Sequence, residues 1–174
     1  MTRQELEHAI RAACEVARDS ELWVFGSQAI LAEYPDALPF LRQSIEVDVA
    51  PKNHPERVDE IDGALGELSS FHETFGFYVH GVPIESAKIP SGWMERTVPV
   101  PGRGPDRTTG LCLERHDLAA SKLAAYREKD LRFVRTLLIE DMIDPEALLN
   151  RIAILPADES VRDRIALWIR AVVK

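Results

Sequence analysis

Ile45-Glu46-Val47-Asp48-Val49, closed by Pro51, is the stretch that decides how the rest of this chain is read. Side chains alternate along a strand with a period of two. Glu46 and Asp48 are therefore expected on one face, with Ile45, Val47 and Val49 buried on the other. Two carboxylates held side by side repel each other unless a cation or a basic group lies between them. Mg²⁺ favours such oxygen ligands and can bridge the phosphates of a nucleotide. The plain alternative is an acidic strand face turned to water.

Upstream, Leu22-Trp23-Val24-Phe25 is a short apolar run ending at Gly26, which predicts a buried strand. Ser27 is then expected to cap a helix from Gln28 to about Tyr34, stopped by Pro35. In Phe25-Gly26-Ser27-Gln28 the glycine permits close backbone approach. The helix start would offer amide N–H groups and the Ser27 hydroxyl to a phosphate, or be an ordinary cap. Leu6, Ala9, Ile10, Ala13 and Val16-Ala17 recur at helical spacing and predict an amphipathic helix over 4–18.

Downstream, 56–68 is expected to be helical, with strand or hairpin at 75–80 and 82–85. Two more strands are expected at 96–100 and 110–113, separated by Pro101-Gly102-Arg103-Gly104-Pro105. From Asp117, read as a cap, a single helix is expected to run through Lys122 and Tyr126 into Phe133 and Leu138. Helices at 145–153 and 159–172 follow. Strands and helices mixed early and helices alone late predict an α/β (α+β) fold, a mixed sheet flanked by helices with a C-terminal helical bundle. The expected division is an α/β core over 1–116, with a helical region over 117–174 packed on it.

On a wheel of about 100° per residue, Lys122 and Asp130 fall inside the apolar arc of Leu118, Tyr126, Phe133 and Leu137, whereas Arg127, Glu128, Arg132 and Arg135 fall outside. Charges on a core-facing stripe are costly unless paired or functional. Lys122 is thus either a functional cation or half of a buried ion pair, unless a helix break near Asp130 spoils the wheel, and Asp130 is an organiser of the basic side chains around it.

The 174 residues carry a net charge of −8, which weighs against a general nucleic-acid binder. The charge is uneven, with 8 basic and 5 acidic side chains over 101–135, which suits a local anion site. Cys14 and Cys112 stand alone and are expected as core thiols of a cytoplasmic protein. No apolar run is long enough for a transmembrane helix. His54, His72, His80 and His116 show no metal-ligand spacing and are expected as ordinary loop or strand residues.

The order of the elements resembles the nucleotidyltransferase superfamily, in which a Gly-Ser turn precedes an acid-x-acid strand. The wording resembles the minimal AbiEii/MenT-like branch of toxin–antitoxin proteins. Val24-Phe25-Gly26-Ser27-Gln28-Ala29-Ile30, Ser44-Ile45-Glu46-Val47-Asp48-Val49, the helix Asp117 to Ala125 and Arg127-Glu128-Lys129-Asp130 carry the likeness. The resemblance implies transfer of a nucleoside monophosphate from a nucleoside triphosphate to a hydroxyl of RNA (the tRNA 3′ end) or of a protein, with an antitoxin as a further partner. Glu46 and Asp48 would hold Mg²⁺ and Lys122 would neutralise the triphosphate. Gly26, Ser27, Arg127, Lys129 and Asp130 would form the nucleotide site. Two departures stand out. Glu46 replaces the usual aspartate, and no third carboxylate is evident on a later strand, where His80 stands near the expected place and Glu85 is the nearest acid. A non-catalytic member binding a nucleotide or a partner, or a metal-dependent hydrolase or nuclease, remains the alternative.

Overall fold

The computed structural model describes residues 1–105 and 107–173. The chain divides into two units, one formed by residues 1–86 and 97–113, the other by residues 87–96 and 114–173.

The first unit holds the sheet. Helix α1 (Arg3–Ala17) opens with a reciprocal capping box between Thr2 and Glu5. It buries Leu6, Ala9, Ile10, Ala13 and Ala17, so the predicted apolar stripe is real. β1 (Glu21–Val24) and β2 (Glu46–Pro51) pair antiparallel, then come the short helices α2 (Val58–Leu65) and α3 (Ser70–Phe75). β3 (Tyr78–Gly81), β4 (Val98–Pro101) and β5 (Thr109–Cys112) complete a five-stranded mixed sheet of order β3-β2-β1-β5-β4. Two glycines admit helices to this sheet. A Cβ on Gly110 would lie 2.5 Å from Ile10 Cδ1 of α1, and one on Gly81 would lie 2.2 Å from the Val58 carbonyl oxygen of α2.

Several local expectations change. Ile45 precedes the strand and is exposed, so the buried face of β2 is Val47 and Val49 without it. The segment after Gly26 is a 3₁₀ helix, Ser27–Ala32, with Gly26 itself at the cap position and no side-chain cap. The expected 56–68 helix is a 3₁₀ turn at Pro55–Arg57 followed by α2, which ends at Gly66. Phe75 closes α3 instead of opening a strand, because Gly76 in the left-handed region (φ 75°) stops the helix. Residues 84–86 form a 3₁₀ turn.

The second unit is helical. α4 (Arg115–Ala125), α5 (Glu128–Ile139), α6 (Pro145–Ala153) and α7 (Glu159–Val172) bury Leu118, Leu123, Phe133, Leu137, Leu148, Ile165 and Ile169. The long helix expected from Asp117 to Leu138 is two helices. Tyr126 adopts the left-handed conformation (φ 53°) as the cap of α4, and its amide donates to the Lys122 carbonyl oxygen. Arg127 then caps α5, whose first turn carries Glu128 and Asp130 in favour with the helix dipole.

Glu114, and not Asp117, caps α4, its carboxylate accepting the amides of His116 and Asp117. Burial pushes the Glu114 carboxyl up, but hydrogen bonds from the His116 side chain and these amides outweigh it and leave it below its usual range. The amide of Asp144 donates to His116 Nε2 at 3.0 Å, so Nδ1 carries the hydrogen given to Glu114.

Asp117 is fully buried inside the second unit. Arg96 donates to it from Nε at 2.7 Å and a terminal nitrogen at 2.9 Å, and Arg151 Nε lies 3.1 Å away. Arg96 also donates to the Ser91 carbonyl oxygen, so this carboxylate fastens residues 87–96 and α6 onto α4. Cys14 and Cys112 are buried as expected, and burial pushes both thiols up to about 12. Replacing Asp117 by Ala removes the shared partner of two arginines and is expected to cost about 3 kcal/mol, whereas Arg151→Ala, which leaves the Arg96 fork intact, should cost less. Urea unfolding of the two variants checks this order.

Candidate functional site

β2 and β3 run parallel, with Glu46 opposite Tyr78, Val47 opposite Val79, Asp48 opposite His80 and Val49 opposite Gly81. Partners in register project to the same side of a sheet, so the pairing sets His80 on the face that carries both carboxylates. His80 Nδ1 lies 3.0 Å from Glu46 Oε1 and 3.2 Å from Asp48 Oδ1. One ligand atom from each of the three residues falls within 4.8 Å of the others, and all three side chains are half-buried. An ionised carboxylate only accepts hydrogen bonds, so Nδ1 carries a hydrogen when it bridges the pair. On the far side of the ring, His80 Nε2 is 4.0 Å from Asp62 Oδ1 of α2.

The negative field of this face is registered by Tyr78. Burial, and after it the charges of Glu46, Glu67, Asp48 and Asp62, hold its phenol above the usual range.

The Gly26 turn closes in on Asp48. A Cβ at position 26 would stand 2.2 Å from Asp48 Oδ2 and 2.9 Å from its Cγ, so the turn and the carboxylate occupy adjacent space only because residue 26 has no side chain. The amide of Phe25 donates to the Asp48 carbonyl oxygen at 3.2 Å. Gln28, fully buried, donates from Nε2 to the Ser44 carbonyl oxygen at 3.0 Å, and Ser44 Oγ accepts the Glu46 amide at 3.2 Å. Gln28 thus ties the turn to the start of β2, while its own Oε1 is buried without a hydrogen-bond partner.

With this geometry in place, the chain's relatives are informative. Residues 4–165 match the family described as nucleotidyltransferase of unknown function (DUF6036). The chain belongs to this family. Neither a curated protein nor a solved structure gives a significant match.

For this nucleotidyltransferase-family chain, the expected site residues fall into two sets. Gly26, Ser27, Glu46 and Asp48 share the first unit, and the sheet brings Gly26, Glu46 and Asp48 together. Lys122, Arg127, Lys129 and Asp130 belong to the second unit. There Lys122 Nζ lies 3.4 Å from Asp130 Oδ1 and 4.6 Å from the centre of the Phe133 ring, and Arg127 Nε donates to Asp130 Oδ2 at 2.6 Å. Asp130 is buried and gathers both cations, whereas Lys129 is exposed. At its Nζ, Lys122 thus faces the carboxylate of buried Asp130.

His80, expected as an ordinary strand residue yet noted near the place of the usual third carboxylate, is part of the acidic cluster. Glu85, the acidic alternative, sits in a 3₁₀ turn beyond the strand. What the sequence did not disclose is the parallel register that brings His80 against both acids. Asp62 was not singled out, and Gln28 only as part of the Phe25–Gln28 turn.

The donor set suits a divalent cation. Two carboxylate oxygens and an imidazole nitrogen converge from adjacent rigid strands, in a cradle that a Cβ on Gly26 would fill. Gly26→Ala is expected to cost about 1–3 kcal/mol by crowding Asp48. In an Asp48→Ala background the same change should cost less than half as much, since the oxygen it strikes is gone. A double-mutant cycle measured by thermal unfolding reads this coupling.

Proposed function

We propose that the chain is a divalent-cation-dependent nucleotidyltransferase, moving a nucleoside monophosphate from a nucleoside triphosphate to an acceptor hydroxyl. The observation that carries it is the convergence of Glu46, Asp48 and His80 beside the Gly26 turn, in a chain of a nucleotidyltransferase family.

A cation held by Glu46 and Asp48 would supply positive charge to the phosphates of the nucleotide. Gly26 and Ser27, as the resemblance implies, would receive those phosphates through the backbone of the turn. One of the two carboxylates would take the proton of the attacking hydroxyl, while the pair stays fixed by the strand. The new bond forms between the acceptor oxygen and the α-phosphorus, and the bond to the pyrophosphate oxygen breaks in line with it. Positioning by rigid strands supplies much of the rate. The finer reading, an AbiEii/MenT-like toxin acting on the tRNA 3′ end or on a protein hydroxyl, rests on the sequence blocks alone. A role for Lys122, Arg127, Lys129 and Asp130 toward the nucleotide rests there too. The pairing of Lys122 and Arg127 with Asp130 equally supports a part in holding the junction between α4 and α5.

A specific observation favours a second reading. Where a third carboxylate is usual, His80 Nδ1 sits against both acids, which suits a member that binds a nucleotide without transferring it. Incubation with labelled nucleoside triphosphates, a divalent cation and total tRNA separates the two. Transfer predicts label on RNA or protein that falls at least about 100-fold in Asp48→Ala or Glu46→Ala. Nucleotide binding with no label transferred selects the second reading.

A further inference from the structure

Mg²⁺ binds through oxygen and is a poor match for imidazole, whereas first-row transition ions accept a mixed set of carboxylate and imidazole ligands. The third donor of this cluster is a nitrogen fixed by strand register. Asp48 and His80 face each other across β2 and β3, and His80 Nδ1 stands 3.0 and 3.2 Å from the two carboxylates.

A further carboxylate approaches the other ring nitrogen. Helix α2 lies against β3 because Gly81 offers no Cβ to the Val58 carbonyl oxygen. That packing brings Asp62 Oδ1 to 4.0 Å from His80 Nε2. That distance is beyond a hydrogen bond, so Asp62 acts on the ring through its charge, which favours the tautomer with the hydrogen on Nε2. Here ligation through Nδ1 leaves the Nε2–H facing Asp62.

We infer that Glu46, Asp48 and His80 form a two-carboxylate, one-imidazole site for a first-row transition cation such as Mn²⁺ in preference to Mg²⁺, with the charge of Asp62 favouring the ring tautomer that leaves Nδ1 free to ligate. The inference rests on the cation-dependent reading of the cluster, and its test needs no nucleotide and no turnover.

The test uses the full chain with Mn²⁺ alone. Electron paramagnetic resonance titration gives the Mn²⁺ affinity, competition with Mg²⁺ gives the selectivity, and pulsed measurements detect a ¹⁴N nucleus bonded to the ion. Wild type should bind one Mn²⁺ with a ¹⁴N coupling and prefer it to Mg²⁺ by at least tenfold. His80→Asp, which restores an all-oxygen set, should lose the ¹⁴N coupling, keep metal binding and lower the Mn²⁺/Mg²⁺ ratio several-fold. Asp62→Asn should weaken Mn²⁺ by only about two- to threefold, as the loss of a partly screened charge, while retaining the ¹⁴N coupling. Wild type binding Mn²⁺ without ¹⁴N coupling, or not binding it, overturns the proposal, as does an unchanged ratio in His80→Asp. The wild-type spectrum decides even if a variant fails to fold. If the ¹⁴N coupling is present but no label is transferred in the presence of Mn²⁺, the metal site stands and the transfer activity falls, so the two failures are distinct.

Discussion

Parallel pairing of β2 with β3 fixes the chemistry of this chain, because it decides which side chains share the acidic face. With Asp48 opposite His80 and Glu46 opposite Tyr78, the imidazole meets two carboxylates at hydrogen-bond distance. A slip of one residue would turn Val79 to that face and send His80 to the core side. Burial guards against the slip. Val79 is fully buried beside Val47 and Val49, so the slip would place His80 in the apolar layer and Val79 among the carboxylates. The register that protects the core is the one that builds the cluster.

Close approach is the second constraint. The chain turns at Gly26 directly over Asp48, and the absent side chain leaves the carboxylate its place. Gln28 fixes the same turn to the start of β2 through the Ser44 carbonyl oxygen. The Gly-Ser-Gln wording thus has a mechanical meaning within the first unit, whatever phosphate-binding part Ser27 plays. Gly26 removes a collision, and Gln28 supplies a tie.

What could be read from the sequence follows from how local the information is. The alternation of Glu46, Val47, Asp48 and Val49 carries its own faces, so β2 was legible, as were α1, α6 and α7 from apolar spacing. The break at Tyr126 was legible only as an alternative placed near Asp130, because the left-handed cap there is a tyrosine and not a glycine, and the apolar positions on either side continue in helical phase. Asp117 looked like a cap because caps are acidic and precede apolar runs. Its burial between Arg96 and Arg151 depends on residues 21 positions earlier and 34 later. His80 joined the cluster through a pairing that spans 32 residues, and no local pattern encodes such a contact. Fold class and the acidic pair were accessible to pattern, whereas His80 was marked only as standing near the third position, and its contact with both acids needed tertiary structure.

An imidazole has a physical advantage over a third acid in the third position when no cation is bound. Two ionised carboxylates within 4.8 Å repel by about 3 kcal/mol at an effective dielectric near 20, before salt reduces it. A third acid at the same range would add two more such repulsions. His80 adds none and donates a hydrogen bond into the pair, so the face can stay assembled without metal. The same contact sets a condition on binding, because Nδ1 cannot both donate its hydrogen and ligate an ion. For Nδ1 to ligate, the neutral ring must carry its one N–H on Nε2 instead, on the side where Asp62 lies. In this chain a cation therefore competes with an internal hydrogen bond as well as with water, and an ion that gains from nitrogen ligation is the one equipped to win.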